Sequence, residues 1–176
     1  MPDFLFSGPP DASTALLLAH GAGAPMDSGW MNAMAAKLAG QGIRVVRFEF
    51  AYMAARRTGQ RKPPPRAERL LDEYCATVDA LKQQGRLLIG GKSLGGRVAS
   101  MVADDLHGAG KVAGLVCLGY PFHPPGTPEK LRTAHLAALR CPALICQGTR
   151  DPFGTREEAA GYDLSAAITL RWFEGD

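Results

Sequence analysis

Six short apolar runs punctuate the chain, each closed by Gly, Pro or polar residues: Thr14 to Ala19, Ile43 to Phe48, Arg86 to Ile89, Val112 to Leu118, Ala143 to Cys146 and Ala167 to Phe173. Most are apolar on both faces rather than alternating, the pattern of strands in a parallel sheet covered by helices. Segments of helical period lie between the runs. Ser28 to Gln41 sets Met31, Met34 and Leu38 on one face and stops near Gly40 and Gly42. Arg66 to Gln84 repeats Leu70, Leu71, Tyr74, Cys75, Val78 and Leu81, and Leu94 to His107 turns Val98, Met101 and Val102 inward before Gly108. Thr155, with Glu158 three residues later, has the spacing of a capping box. This alternation predicts an α/β fold, a three-layer sandwich around a mostly parallel sheet of about six strands with right-handed crossovers. Residues 1–176 read as a single domain without repeats or linkers.

Composition narrows the function classes. A chain of 176 residues, 46% hydrophobic and 21% charged, has the make-up of one globular domain. Runs such as Ala15-Leu16-Leu17-Leu18-Ala19 fall far short of the roughly 18 residues that span a bilayer, so no membrane association is expected. Met1-Pro2-Asp3-Phe4 has neither the basic flank nor the apolar stretch of a secretion signal. Cys75, Cys117, Cys141 and Cys146 lack CxxC spacing and neighbouring His, so they read as buried, reduced thiols of a cytoplasmic protein rather than metal ligands. Neither a metal nor a cofactor is expected.

In a sheet of this kind, ligands sit outside the carboxyl ends of the strands. There, Gly91-Lys92-Ser93-Leu94-Gly95 follows an apolar run directly and leads directly into a helical segment. That is the GxSxG pattern in the context its chemistry needs: a turn so sharp that Ser93 is presented above the sheet, with Gly91 and Gly95 where side chains would collide and Gly96 permitting close packing of the helix. The plainer reading is a tight strand-to-helix turn alone. Two nucleotide motifs are imitated but incomplete. A phosphate-binding loop requires Gly where Arg86 stands, and in a dinucleotide fingerprint the third glycine would replace Met26, which Pro25 precedes.

If Ser93 is a nucleophile in acyl transfer, backbone donors must face the developing oxyanion; losing one costs about 100- to 1,000-fold in rate. The N–H of Leu94 is the first candidate. The second belongs in His20-Gly21-Ala22-Gly23, after the first run, with Ala22 favoured and Gly23 as the alternative, while His20 orders the loop. Asp151 lies on the same rim after the fifth run and is the candidate acid that would orient a general base, although an Asp before Pro152 also suits a simple turn. The chain order Ser then Asp calls for a His after the next strand.

These blocks together resemble the α/β-hydrolase superfamily. More narrowly, they resemble the small dienelactone-hydrolase-like branch that includes the testis-expressed protein thirty and the hydrolase-like domain of the third subunit of the NSL chromatin complex. The likeness continues through Met26-Asp27, Val46-Arg47-Phe48-Glu49-Phe50-Ala51-Tyr52-Met53, Pro63-Pro64-Pro65-Arg66, Gly119-Tyr120-Pro121-Phe122-His123-Pro124-Pro125 and Gly148-Thr149-Arg150-Asp151. The resemblance implies a serine-hydrolase fold with the nucleophile at Ser93 and the acid at Asp151, and no settled substrate. It also implies a catalytic His after the last strand and a final helix. The sequence reaches Trp172-Phe173-Glu174-Gly175-Asp176, so the expectation is a domain truncated at its C-terminal end. His107 and His135 lie off the rim, and His20 and His123 lie on it but outside the family's His position.

Trp30, Tyr52, Met53 and Phe122, with His20, Gly21, Gly23 and His123, are expected to line a pocket for a small acyl substrate. Six basic residues, Arg56, Arg57, Arg61, Lys62, Arg66 and Arg69, fall within fourteen positions that hold one acid, Glu68, so the formal charge of +3 is concentrated at 56–69. That segment reads as a solvated loop, as an attractor of anionic acyl substrates, or as a dock for an acidic protein partner. Nucleic acid is not expected, since no aromatic residues are interleaved for stacking. Two functions therefore compete: a serine hydrolase of esterase or thioesterase type, and a non-catalytic interaction module on the same fold.

Overall fold

Successive residues of the second strand face different cores. Ala15, Leu17 and Ala19 join one apolar cluster, and Leu16 and Leu18 join another across the sheet. The computed structural model describes residues 3–83 and 85–175. In chain order the elements are β1 (Leu5–Ser7), β2 (Thr14–Ala19), α1 (Gly29–Ala39), β3 (Arg44–Phe48), α2 (Ala51–Ala54), α3 (Leu71–Ala80), β4 (Arg86–Lys92), α4 (Leu94–Gly108), β5 (Gly114–Leu118), β6 (Ala143–Gly148), α5 (Arg156–Ala159) and β7 (Ile168–Phe173). The strands form one sheet in the order β1-β3-β2-β4-β5-β6-β7. All neighbours are parallel except β1, which runs antiparallel along β3 with Leu5 opposite Arg47.

Helices cover both faces, which completes three layers. On one side Tyr74 and Val78 of α3 and Val98, Val102 and Leu106 of α4 pack on Leu17, Phe48, Ile89, Leu115 and Ile145. On the other, Met31 and Ala35 of α1 pack on Leu16, Leu18 and Val45. The Tyr74 hydroxyl accepts the Gly90 N–H at 3.0 Å and donates to the Gly90 carbonyl at 2.9 Å, tying α3 to β4 just before that strand ends. Beside α1, whose Trp30, Met34 and Leu38 also line it, the second face carries an apolar cavity of about 790 Å³ over Leu88, Val116, Leu118, Leu144 and Cys146.

All six expected strands are present, β2 with the expected limits and the others with shifted ones. β4 runs three residues past Ile89, because its backbone pairing with β5 continues to Lys92. β5 begins at Gly114 rather than Val112. The helix expected from Arg66 is divided into a 3-10 turn at Ala67–Arg69 and α3, and its expected end, Gln84, lies outside the described residues. The seventh strand, β1, is three residues long and was not expected. Of the cysteines, Cys117 and Cys141 are buried, whereas Cys75 and Cys146 are partly exposed, and all four are free thiols. Among the described residues, no helix is long and apolar enough to cross a membrane.

Candidate functional site

β4 ends and α4 begins at a single residue, Ser93. Its backbone (φ 49°, ψ −114°) makes it the one non-glycine with positive φ among the described residues. Such a conformation costs on the order of 1–3 kcal/mol and persists only where the surroundings enforce it. They do so here. A Cβ on Gly91 would stand 2.6 Å from the Gly96 nitrogen, and one on Gly95 would stand 2.5 Å from the His20 carbonyl oxygen and 2.8 Å from that of Ala19. The turn is thus closed by backbone on both sides. The Ser93 N–H donates to the Leu118 carbonyl and the Ser93 carbonyl accepts the Arg97 N–H, each at 3.0 Å. Its side chain makes no capping bond to α4. The N–H of Leu94, first residue of a 15-residue helix, has no intrahelical acceptor and lies at the positive end of the helix dipole.

The loop after β2 lies against this turn. A Cβ on Gly21 would be 3.8 Å from that of Ser93. Three of its carbonyls are occupied. His20 Nδ1 bonds the Gly21 carbonyl at 2.7 Å, the Tyr52 hydroxyl donates to Ala22 at 3.2 Å, and Arg56 Nη1 donates to Gly23 at 3.3 Å. His20 Nε2 accepts the Phe50 N–H at 3.1 Å, so the ring is the neutral Nδ1–H tautomer. Burial lowers its pKa below the ordinary value, which favours the same form.

Asp151 stands three residues past the end of β6. Its Oδ1 accepts the Phe153 N–H at 2.9 Å, and its Oδ2 would lie 3.6 Å from a Cβ on Gly119. The turn after β7 is fastened to the same loop, since the Thr149 N–H donates to Phe173 at 2.8 Å and the Arg150 N–H to Gly175 at 2.9 Å.

Ser93 stands on the divide between two cavities. The apolar one also contains Asp151, Trp30 and Phe173. The other, of about 1040 Å³, contains Ala22, Leu94, Phe153 and the arginines 66, 69, 97 and 132. The two candidate oxyanion donors thus lie on the arginine side and the candidate acid on the apolar side.

Several residues expected to line a pocket do not. Met53 and Phe122 are core residues, packed in the α3–α4 cluster. Tyr52 is buried and acts through its bond to Ala22. His20 is fully buried beneath the loop. His123 is buried too, with Nδ1 on the Pro124 carbonyl at 2.8 Å and Nε2 3.3 Å from Glu158 Oε2. That carboxylate also accepts the Thr155 N–H in the predicted capping box, so His123 braces α5. His107 and His135 bond to Val112 and Ser100 respectively. Trp30 does line the apolar cavity, with Lys92 Nζ 5.2 Å above its ring.

The basic segment is not one patch. Arg57 is held by both oxygens of buried Glu49, at 2.8 and 2.7 Å, and by Asp27 at 3.0 Å, and these bonds raise its pKa. Arg66 and Arg69 line the cleft beside Ser93. Arg97 and Arg132 were missed in the sequence. Arg97 was detectable as the residue four after Ser93 on one helix, whereas Arg132 lies in the irregular segment between β5 and β6. Among the described residues, no three His, Cys, Asp or Glu side chains converge as metal ligands.

Residues 12–176 match the family model described as an alpha/beta hydrolase domain. The chain is also similar in structure to a dienelactone hydrolase from Anabaena variabilis (20% identity, TM-score 0.75), covering 97% of this chain and 79% of that one. The monoacylglycerol lipase of Paleococcus ferrophilus is similar at 16% identity and TM-score 0.71, covering 99% and 89%. Est1E from Butyrivibrio proteoclasticus is similar at 15% identity and TM-score 0.70, covering 98% and 84%.

Proposed function

The chain belongs to the alpha/beta hydrolase domain family, and from that premise we propose that it is a serine hydrolase acting on a small acyl substrate, an ester or thioester. The observation that carries this reading is Ser93 itself. A strained serine at a strand-to-helix turn, walled by Gly91 and Gly95 and with a hydroxyl that caps nothing, is costly to maintain as a plain turn. The esterase and lipase names among the structural neighbours, and the narrower sequence resemblance to the dienelactone-hydrolase-like branch, support the same reading.

In this mechanism Ser93 Oγ attacks the acyl carbon, a C–O bond forms, and the carbonyl oxygen becomes an oxyanion between the N–H groups of Leu94 and Ala22. Collapse expels the alcohol or thiol and leaves an acyl-serine, which water then hydrolyses. The serine proton passes to a general base oriented by Asp151 and from that base to the departing oxygen or sulfur. The base then takes a proton from the hydrolytic water and returns it to Ser93 Oγ as the acid product leaves. The four histidines present hydrogen-bond elsewhere. The turn after β7 is bonded to the Thr149–Arg150 backbone, adjacent in sequence to the Asp151 that would orient this base. The test is hydrolysis of a short 4-nitrophenyl ester by the full-length protein, with turnover expected to disappear in Ser93→Ala. Equal rates for the two proteins would refute the reading.

A further inference from the structure

Resting on the hydrolase reading, the cleft on the Leu94 side of Ser93 says what kind of substrate fits. Its frame includes Pro64, Pro65, Pro121 and Phe153, and four arginines, Arg66, Arg69, Arg97 and Arg132, line it against the single carboxylate of Glu68. Arg97 lies on α4, one helical turn beyond the nucleophile. Its Nη2 bonds Glu68 Oε1 at 2.7 Å, while its Nε is buried without a hydrogen-bond partner among the described residues. Burial and the neighbouring charge of Arg97 both lower the pKa of Arg132. Cations gathered in a partly desolvated cleft destabilise one another unless an anion enters. Guanidinium groups, with their planar donor forks, suit carboxylate and phosphate oxygens.

We propose that the substrate carries an oxyanionic group, a carboxylate or a phosphate, which binds among Arg66, Arg69, Arg97 and Arg132 while its scissile carbonyl rests at Ser93. The four arginines come from three separate parts of the chain: the segment before α3, helix α4 and the β5–β6 connection. Their convergence is therefore a product of the fold, not of a charged run. The anion sits on the side of the oxyanion donors, leaving the apolar cavity and Asp151 for the proton-transfer groups.

The test uses the full-length protein and two 4-nitrophenyl esters of equal acyl length, the hemiglutarate, which is anionic, and the valerate, which is neutral. The ratio of their kcat/KM values should favour the hemiglutarate by about tenfold or more at low salt. It should shrink as salt is raised and fall about tenfold in both Arg132→Gln and Arg69→Gln, two variants that guard against one failing to fold. Calorimetry with glutarate and with inorganic phosphate on Ser93→Ala then shows which oxyanion is preferred. Equal ester ratios in wild type and variants, with ester turnover intact and neither anion bound, would overturn the proposal and leave the hydrolase reading standing. If no ester turns over, the hydrolase reading fails. In that case anion binding lost in Arg132→Gln keeps the anion site, and its absence removes that too.

Discussion

The hydroxyl of Tyr52 donates to the carbonyl of Ala22 across 3.2 Å, so a buried side chain of α2 holds the loop that presents the second candidate oxyanion donor. His20 holds the same loop from below through Gly21, and Arg56 from its outer end through Gly23. With carbonyls fixed, the intervening N–H groups have restricted directions. Preorganised donors of this kind lower a barrier without reorganising at the moment of reaction. Tyr52→Phe should therefore lower kcat by about tenfold while changing KM little. Burial pushes the Tyr52 phenol up to about 12, so it remains a donor and the defect should be constant from pH 6 to pH 9. A rise in KM at unchanged kcat would show that Tyr52 shapes binding instead.

Gly95 and Gly23 make opposite demands on an added methyl group. At Gly95 the new Cβ would meet two backbone oxygens, of His20 and Ala19, and backbone cannot step aside as a flexible side chain can. At Gly23 nothing lies within 4 Å. Gly95→Ala should lose about 2 kcal/mol or more of stability, and Gly23→Ala should stay within about 0.5 kcal/mol of wild type. Urea unfolding of both variants checks this.

Asp151 separates folding from chemistry. Its Oδ1 accepts the Phe153 N–H, a role that an asparagine oxygen performs equally well. Asp151→Asn should unfold at nearly the wild-type temperature yet lose roughly 1,000- to 10,000-fold in kcat, since an amide does not orient and stabilise a charged imidazole. Full activity in this variant would remove Asp151 from the mechanism.

Two buried imidazoles should make the fold acid-sensitive. Burial lowers the pKa of His20, and burial followed by the charge of Arg97 lowers that of His135, each from an ordinary value of 6.5. Below about pH 6.5 the unfolded chain takes up protons that the folded chain refuses, so stability falls as pH drops toward the folded values and is flat above. The thermal midpoint should decline between pH 6.5 and pH 5. A His20→Gln variant, with no ring to titrate, should show a shallower decline.

The long periodic elements were legible because each combines several apolar contacts in one direction, as in Val98, Met101 and Val102 of α4. The Ser93 turn was legible because sterics leave few residues able to flank it. β1 was not, since three residues carry no period, and its pairing with β3 depends on a tertiary edge. Pocket walls were misjudged for a related reason. Proximity to the rim in sequence does not fix the direction of a side chain, and Met53 and Phe122 turn inward to satisfy the core. The arginine cleft was half visible. Arg66 and Arg69 stood out as part of a basic run, but their companions Arg97 and Arg132 come from elements joined only by folding.

The central claim is that Ser93 is an activated nucleophile, and covalent capture tests it most directly. The full-length protein is treated with a fluorophosphonate, and intact mass and peptide mapping are recorded for wild type, Ser93→Ala and Asp151→Asn. One adduct per wild-type chain is expected, located on Ser93, absent from Ser93→Ala and formed far more slowly in Asp151→Asn. An unmodified wild-type protein, or an adduct that persists in Ser93→Ala, would contradict that claim.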